Sequence, residues 1–313
     1  MNNHSVNKSI YFLMLLVPLF WGGSFSTAEH VITEIPPLVA ATIRFGLAGL
    51  LLLLLVTVRS EWNLQGLKTN WKGLVIISLT GIFGYNALFF VALHYTSAIN
   101  GSLIIATMPL FVSLGAILFF KEAWNGKLGI SLALSFIGVV LVITKGSLER
   151  LASLSFNEGD LLFIGALLCG VVYSLVGKKV VKDVSPVFAT AVMTLLGSIF
   201  LGFSSIPEGG WEMVPEMSVQ GWMEMAYMVV CGTLIGYIIF NLGVHQIGAS
   251  KASIYLNLTP IVTSLLSVWL YGASLTWSLF AGLLFVLAGV CLATTQPSRS
   301  STQFFNETHA VKK

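Results

Sequence analysis

The residues able to carry covalent, acid-base or metal chemistry are few in this chain and stand apart from one another. Cys169, Cys231 and Cys291 each lie inside an apolar run with no Cys-x-x-Cys or Cys/His spacing, so they read as small buried hydrophobes. No His-Glu-x-x-His, Gly-x-Ser-x-Gly, phosphate-binding loop or paired-Asp pattern occurs, and an enzyme at membrane depth needs a nucleophile, a metal set or an acid-base pair. No catalytic residue, metal or cofactor is expected. Among the ionisable residues of apolar stretches, Arg44 lies deepest, about 10 Å below the surface at the helical rise. Its side chain can reach outward, clamp exposed carbonyls of a neighbouring helix, or meet an anionic group of a substrate. Asp160 and Glu224 fall within one turn of the ends of their stretches, and Glu122 closes another beside Lys121. There a carboxylate opposes the helix dipole and calls for a partner cation, which suits a gating or folding role.

What must position such residues is a membrane-embedded scaffold. Only 9% of the 313 residues are charged and 56% are apolar, against roughly 25% charged in soluble domains. The mean hydropathy of +0.89 describes a chain made for lipid, which excludes a soluble enzyme, a secreted disulfide scaffold and a disordered protein. A net charge of +3 is too small a bias to imply a nucleic-acid partner. Stretches long enough for a bilayer core cover residues 10–28, 37–58, 73–93, 98–120, 128–144, 160–177, 186–206, 222–244, 250–271 and 276–295. These ten spans predict an all-α integral membrane protein whose partners are the lipid bilayer and a small-molecule substrate. The first span has an alternative reading as a signal peptide, with Lys8 before it and Ser26-Thr27-Ala28 near its end, but Phe20-Trp21-Gly22-Gly23 is unusual beside a cleavage site. Placing the N-terminus inside puts 13 cations on the inner side against 2, Lys145 and Arg150, outside. The positive-inside rule then puts both termini in the cytoplasm.

The two halves resemble one another. Sliding by 151 residues lays residues 98–143 on 249–294 without a gap, with 10 of the 46 pairs identical, Pro109 and Pro260 among them. His94 falls on His245, Gly84-Tyr85 lies one residue from Gly236-Tyr237, and Trp21-Gly22 with Phe25 lies over Cys169-Gly170 with Tyr173. Five spans per half turn the second copy upside down, the inverted repeat on which many secondary transporters are built. The domains expected are a first repeat over 10–144, a second over 160–295 and a cytoplasmic tail over 296–313. Pro109 and Pro260 occupy equivalent mid-span positions, where a proline removes a backbone hydrogen bond and either kinks the helix for packing or belongs to the moving parts. The Gly232-x-x-x-Gly236 spacing reads as close helix packing.

These residues resemble the EamA branch of the drug/metabolite transporter superfamily over nearly the whole chain. The resemblance is carried by Leu19-Phe20-Trp21-Gly22-Gly23-Ser24-Phe25, by Ala41-Thr42-Ile43-Arg44-Phe45, by Ala92-Leu93-His94-Tyr95-Thr96-Ser97-Ala98, by Pro109 and by Lys121-Glu122. The second half departs from the pattern, with Gly272-Ala273 where a Gly-Glu pair is common and Met193 where the first half has Arg44. The resemblance implies a cavity lined by spans 1, 3, 4, 6, 8 and 9, with span 2 outside it, in a multi-pass protein of a bacterial plasma membrane. It also implies export of amino acids, their relatives or other small metabolites; a passive channel or a sensory protein is the alternative. On those six spans lie Trp21, Ser24, Tyr85, Asn86, Asn100, Tyr173, Tyr237, Asn241, Tyr255 and Asn257, rings and amides suited to a solute with an apolar body and polar ends. Small multidrug pumps of the same superfamily exchange protons on a Glu in their first helix, yet residues 10–28 hold no acid. Direct proton coupling is therefore not expected.

Overall fold

The computed structural model describes residues 9–96, 98–120, 126–144, 146–147, 149, 157–180, 184–271 and 277–294, and among these it is helical with no strand. The helices are α1 (Ser9–Glu34), α2 (Pro37–Val58), α3 (Leu64–Leu93), α4 (Ala98–Ala106), α5 (Met108–Phe120), α6 (Gly126–Ile143), α7 (Glu158–Val180), α8 (Pro186–Glu208), α9 (Val219–Ile247), α10 (Ala249–Ile254), α11 (Thr259–Tyr271) and α12 (Trp277–Thr294). Six of them, α1, α2, α3, α7, α8 and α9, are long and apolar enough to cross a membrane. The others have 18 residues or fewer. Glu122 lies outside the described residues, as does the tail beyond 294.

A helix that is apolar all round has lipid on one side and protein on the other. On α2, Ala41, Ala48 and Leu52 are buried while Leu50 and Leu54 are exposed. Helix starts are set by proline and by side-chain acceptors. Pro37 and Pro186 stand at the first position of α2 and α8, where the missing N–H costs nothing. The Ser185 hydroxyl accepts the Phe188 N–H at 3.2 Å. On α2, the Glu208 carboxylate at the end of α8 accepts the N–H of Leu38 at 2.8 Å and of Val39 at 3.1 Å. Asp160, expected at an interface, is 4% exposed and closes a capping pair with Asn157 while accepting from Thr96 Oγ1 at 2.9 Å.

Packing follows the internal repeat. A methyl group on Gly138 of α6 would meet Gly282 and Val286 of α12, and one on Gly289 of α12 would meet Ser131 and Ser135 of α6. Each residue of the second set stands 151 positions from its counterpart in the first, so this seam is self-paired across a pseudo-two-fold axis. α2 lies along α8 in the same manner, α1 along α9, and α3 along α7. Two irregularities also repeat. Between α4 and α5 the chain turns at Thr107, and between α10 and α11 a 3-10 segment covers Tyr255–Leu258. Pro109 and Pro260 follow as the second residues of α5 and α11. They stand in the first turn of a new helix rather than at a kink in a continuous one, because there the absent N–H leaves no bond unmade.

Candidate functional site

Two π-helical segments, Ser78–Gly84 within α3 and Met228–Ile235 within α9, occupy matching places in the two halves. In each, the closing N–H reaches back five residues, Tyr85 to the Thr80 carbonyl and Gly236 to the Cys231 carbonyl. Such wide turns are rare and gather at functional sites. Glycine lets another helix approach them closely. A methyl group on Gly236 would lie 2.8 Å from the Trp21 indole nitrogen, and one on Gly84 would lie 3.0 Å from the Cys169 sulfur. The packing reading of Gly232 and Gly236 matches this geometry, since Gly232 faces Ser24 and Gly236 faces Trp21.

The widened turns also offer carbonyls to side chains. Trp21 Nε1 donates to the Gly232 carbonyl at 2.8 Å, and Tyr237 Oη donates to the Gly81 carbonyl at 3.3 Å. Asn86 Nδ2 donates to the Gly81 and Ile82 carbonyls at 3.2 and 3.0 Å and stands 3.4 Å from Tyr237 Oη. Behind them Tyr173 Oη donates to Asn241 Oδ1 at 2.6 Å, and Asn241 Nδ2 donates to Thr190 Oγ1 at 2.8 Å, which ties α7, α9 and α8 together. Ring contacts complete the wall, with Trp21 5.2 Å from Tyr237 and 5.3 Å from Phe240, and Phe25 edge-on to Phe89 at 4.8 Å. Each such pair adds about 0.5–1.5 kcal/mol beyond its buried area.

These groups surround a cavity of about 50 Å³, room for a few waters. Trp21, Ser24, Tyr85, Asn86, Tyr173 and Tyr237 of the sequence-derived set line it. Asn241 stands one bond behind, through Tyr173. Tyr255 and Asn257 are buried on the 3-10 segment but outside the lining, which takes Leu256 from that segment instead. The side chain of Asn100 lies outside the described residues. Sequence reasoning missed Phe89, Phe240, Met108, Thr259 and Ser174; of these, the Ser174 hydroxyl is sealed without a hydrogen-bond partner. Pairs 151 residues apart held the one available signal, since Met108 and Thr259 are repeat mates.

The expectation that span 2 stays outside the cavity needs correction, because Arg44 of α2 lines it. Its guanidinium is carried inward over the rings of Phe45 and Phe90, at 4.9 and 6.0 Å, and Nε donates to Thr233 Oγ1 of the α9 π segment at 2.9 Å. The lining otherwise contains no charged residue, and no cluster of metal ligands occurs among the described residues. The arrangement brings rings, hydroxyls, one amide and one cation to a single cavity.

Comparison with known proteins places this geometry in a family. The model of the EamA-like transporter family matches residues 8–144 and again 157–295. The chain is 32% identical over 286 residues to the uncharacterized transporter YyaM of Bacillus subtilis, covering 91% of this chain and 93% of that one. It is 28% identical over 295 residues to an uncharacterized transporter of Archaeoglobus fulgidus, covering 93% and 99%. One solved crystal structure superposes with a TM-score of 0.75 at 17% identity, over 92% of this chain and 97% of the other, a likeness of fold. With both halves matched by one family model and apolar helices throughout, the chain is a multi-pass membrane protein that belongs to the EamA-like transporter family.

Proposed function

We propose that this protein is a secondary transporter that exports small metabolites, amino acids or related compounds among them, across the bacterial plasma membrane by alternating access. In this reading the chain crosses the membrane ten times as two inverted five-span units, 10–144 and 160–295, with both termini and the tail at 296–313 in the cytoplasm. One observation carries it: both halves build a single cavity, whose lining takes Gly81 from one π segment, Tyr85 and Tyr237 from just beyond the two π segments, and Met108 and Leu256 from the two helix breaks. Irregular backbone at membrane depth is tolerated where it lines such a cavity, and two equivalent halves can exchange conformations about it. A cavity of about 50 Å³ is far below the ~300–1,000 Å³ of ligand pockets, so admitting a metabolite requires the walls to part.

Trp21, Ser24, Tyr85, Asn86, Tyr173 and Tyr237 contact the solute in this reading, and Asn241 holds Tyr173. Asn100, Tyr255 and Asn257 join the path as the broken segments shift. Pro109, Pro260 and Glu122 belong to the moving parts. The chemistry is exchange of noncovalent contacts rather than catalysis, and the lining offers no carboxylate to carry a proton. Reconstituted in liposomes, the protein should therefore show saturable counterflow of a released metabolite without an imposed pH gradient. Flux that does not saturate and shows no counterflow would mean a passive channel, and a fixed proton stoichiometry would mean that a coupling group lies elsewhere. Reporters at Gln65 and Lys182 should be cytoplasmic and at Ser153 and Met213 external; finding the two halves in one orientation would sink the inverted repeat.

A further inference from the structure

We propose that Arg44 anchors the anionic end of the transported solute, and that this solute is an organic monocarboxylate with an uncharged, apolar body. The assignment rests on reading the cavity as a transport path, and it narrows the metabolites proposed above to acids without an ammonium group, setting free amino acids aside. Arg44 is 4% exposed, yet its five N–H groups find only Thr233 Oγ1 at 2.9 Å and the soft Met228 sulfur at 3.9 Å. No carboxylate and no backbone carbonyl accepts from it among the described residues. A structural clamp at membrane depth would spend those donors on exposed carbonyls. The ring faces of Phe45 and Phe90 and one neutral hydroxyl offset only part of the cost of a desolvated cation. The uncommitted part of the fork belongs to a residue that lines the cavity.

The rest of the lining narrows the ligand. A guanidinium pairs with a carboxylate through two parallel hydrogen bonds. The lining holds no second cation, which disfavours a dianion such as a phosphate monoester, and no acid to receive an ammonium group. Met193, the counterpart of Arg44 in the second half, is fully buried and apolar, so the charge is not duplicated across the axis. The rings of Trp21, Phe25, Phe89 and Phe240 in the same lining suit an apolar body.

The purified full-length protein is titrated by calorimetry with phenylacetate, its neutral isostere phenylacetamide, phenylalanine and phenyl phosphate, and counterflow of phenylacetate is measured in liposomes. Wild type should bind phenylacetate at least about ten-fold more tightly than the other three. Arg44→Gln should erase the preference by weakening the acid while leaving the amide unchanged, and Arg44→Lys, which keeps the charge but not the planar fork, should weaken the acid several-fold. Equal binding of acid and amide by wild type, or an acid preference intact in Arg44→Gln, overturns the anchor. Should Arg44→Gln not fold, unchanged acid binding in Arg44→Lys does the same. A preference for phenylalanine or phenyl phosphate overturns the monocarboxylate. Arg44-dependent binding without counterflow removes the transport reading and leaves the anchor; counterflow of phenylacetate untouched by either variant leaves transport and removes the anchor.

Discussion

The two helix crossings that frame the cavity, α1 on α9 and α7 on α3, share a backbone and differ in chemistry. Each presses a π segment against a glycine-permitted neighbour, with Gly236 opposite Trp21 in one and Gly84 opposite Cys169 in the other. At the first crossing the neighbour is a large ring whose N–H is bonded to the Gly232 carbonyl at 2.8 Å. At the second it is a thiol, and the carbonyl of the π segment is served instead by Asn86 and by Tyr237 from across the axis. The cation follows the same division, with Arg44 on one side and Met193 on the other. The backbone deformation occurs in both halves, whereas the indole donor and the cation occur in one. In the proposed transport cycle the features that permit rearrangement are therefore symmetric, and those that select a solute are not.

This contrast breaks if the crossings respond equally to truncation. Trp21→Ala removes a hydrogen bond worth about 1 kcal/mol net and two ring contacts of about 0.5–1.5 kcal/mol each, so liposome counterflow should fall by roughly ten-fold or more. Cys169→Ala, at the matching place, should stay within about two-fold. Comparable losses in both would mean that Trp21 acts only as filling.

A smaller difference is expected from the glycines. Gly236→Ala and Gly84→Ala each crowd a carbonyl of their own helix, Cys231 at 3.1 Å and Leu79 at 2.9 Å, so the difference lies in the neighbour: the hydrogen-bonded indole cannot turn away from the first without losing its bond, whereas the Cys169 thiol facing the second can rotate. The first substitution should reduce counterflow several-fold and the second less, read against equal membrane expression. The reverse order would show that the α3 crossing is the tighter one.

The helix caps sharpen the comparison at the lowest level. The start of α2 is held by the distant Glu208 carboxylate and the start of α8 by its own Ser185. Glu208→Gln and Ser185→Ala should each cost about 1 kcal/mol or less, a thermal shift of roughly 2 °C in the detergent-solubilised protein. Only Glu208→Gln should loosen the contact between α8 and α2, read as faster amide exchange at Leu38 and Val39.

Much of this was legible because polarity is scarce in an apolar chain. Tyr85, Asn86, Tyr173 and Tyr237 announce themselves as costly at membrane depth, and the structure brings them to one cavity. The offset of 151 also pairs Pro109 with Pro260 without any structure. The π segments were not legible, since a five-residue hydrogen-bond step has no compositional signature and glycine spacing alone suggests only packing. Phe89 and Phe240 were invisible because an apolar ring facing a cavity reads the same as one facing lipid. Arg44 was misplaced by analogy: the line of its helix says which neighbours it has, but not that a long side chain reaches past them.

The bonds between α1 and α9 extend well beyond the cavity. Trp21 holds Gly232, His30 stands 2.7 Å from Glu224, and the Glu34 carboxylate accepts from the Ser218 N–H and hydroxyl at 2.6 and 2.7 Å. From Trp21 to Glu34 these attachments run about 20 Å along one helix. Riveted at three levels, the two helices form a single beam, although they come from opposite halves of the chain. Prising that beam open breaks directional bonds one after another, whereas moving it whole against α3 and α7 exchanges the bonds of Tyr237 with Gly81 and Asn86 and of Asn241 with Tyr173 while the rings of Trp21, Phe240 and Tyr173 slide over one another. In the proposed cycle the unit that pivots is therefore a pair of helices assembled across the repeat rather than inherited from either half.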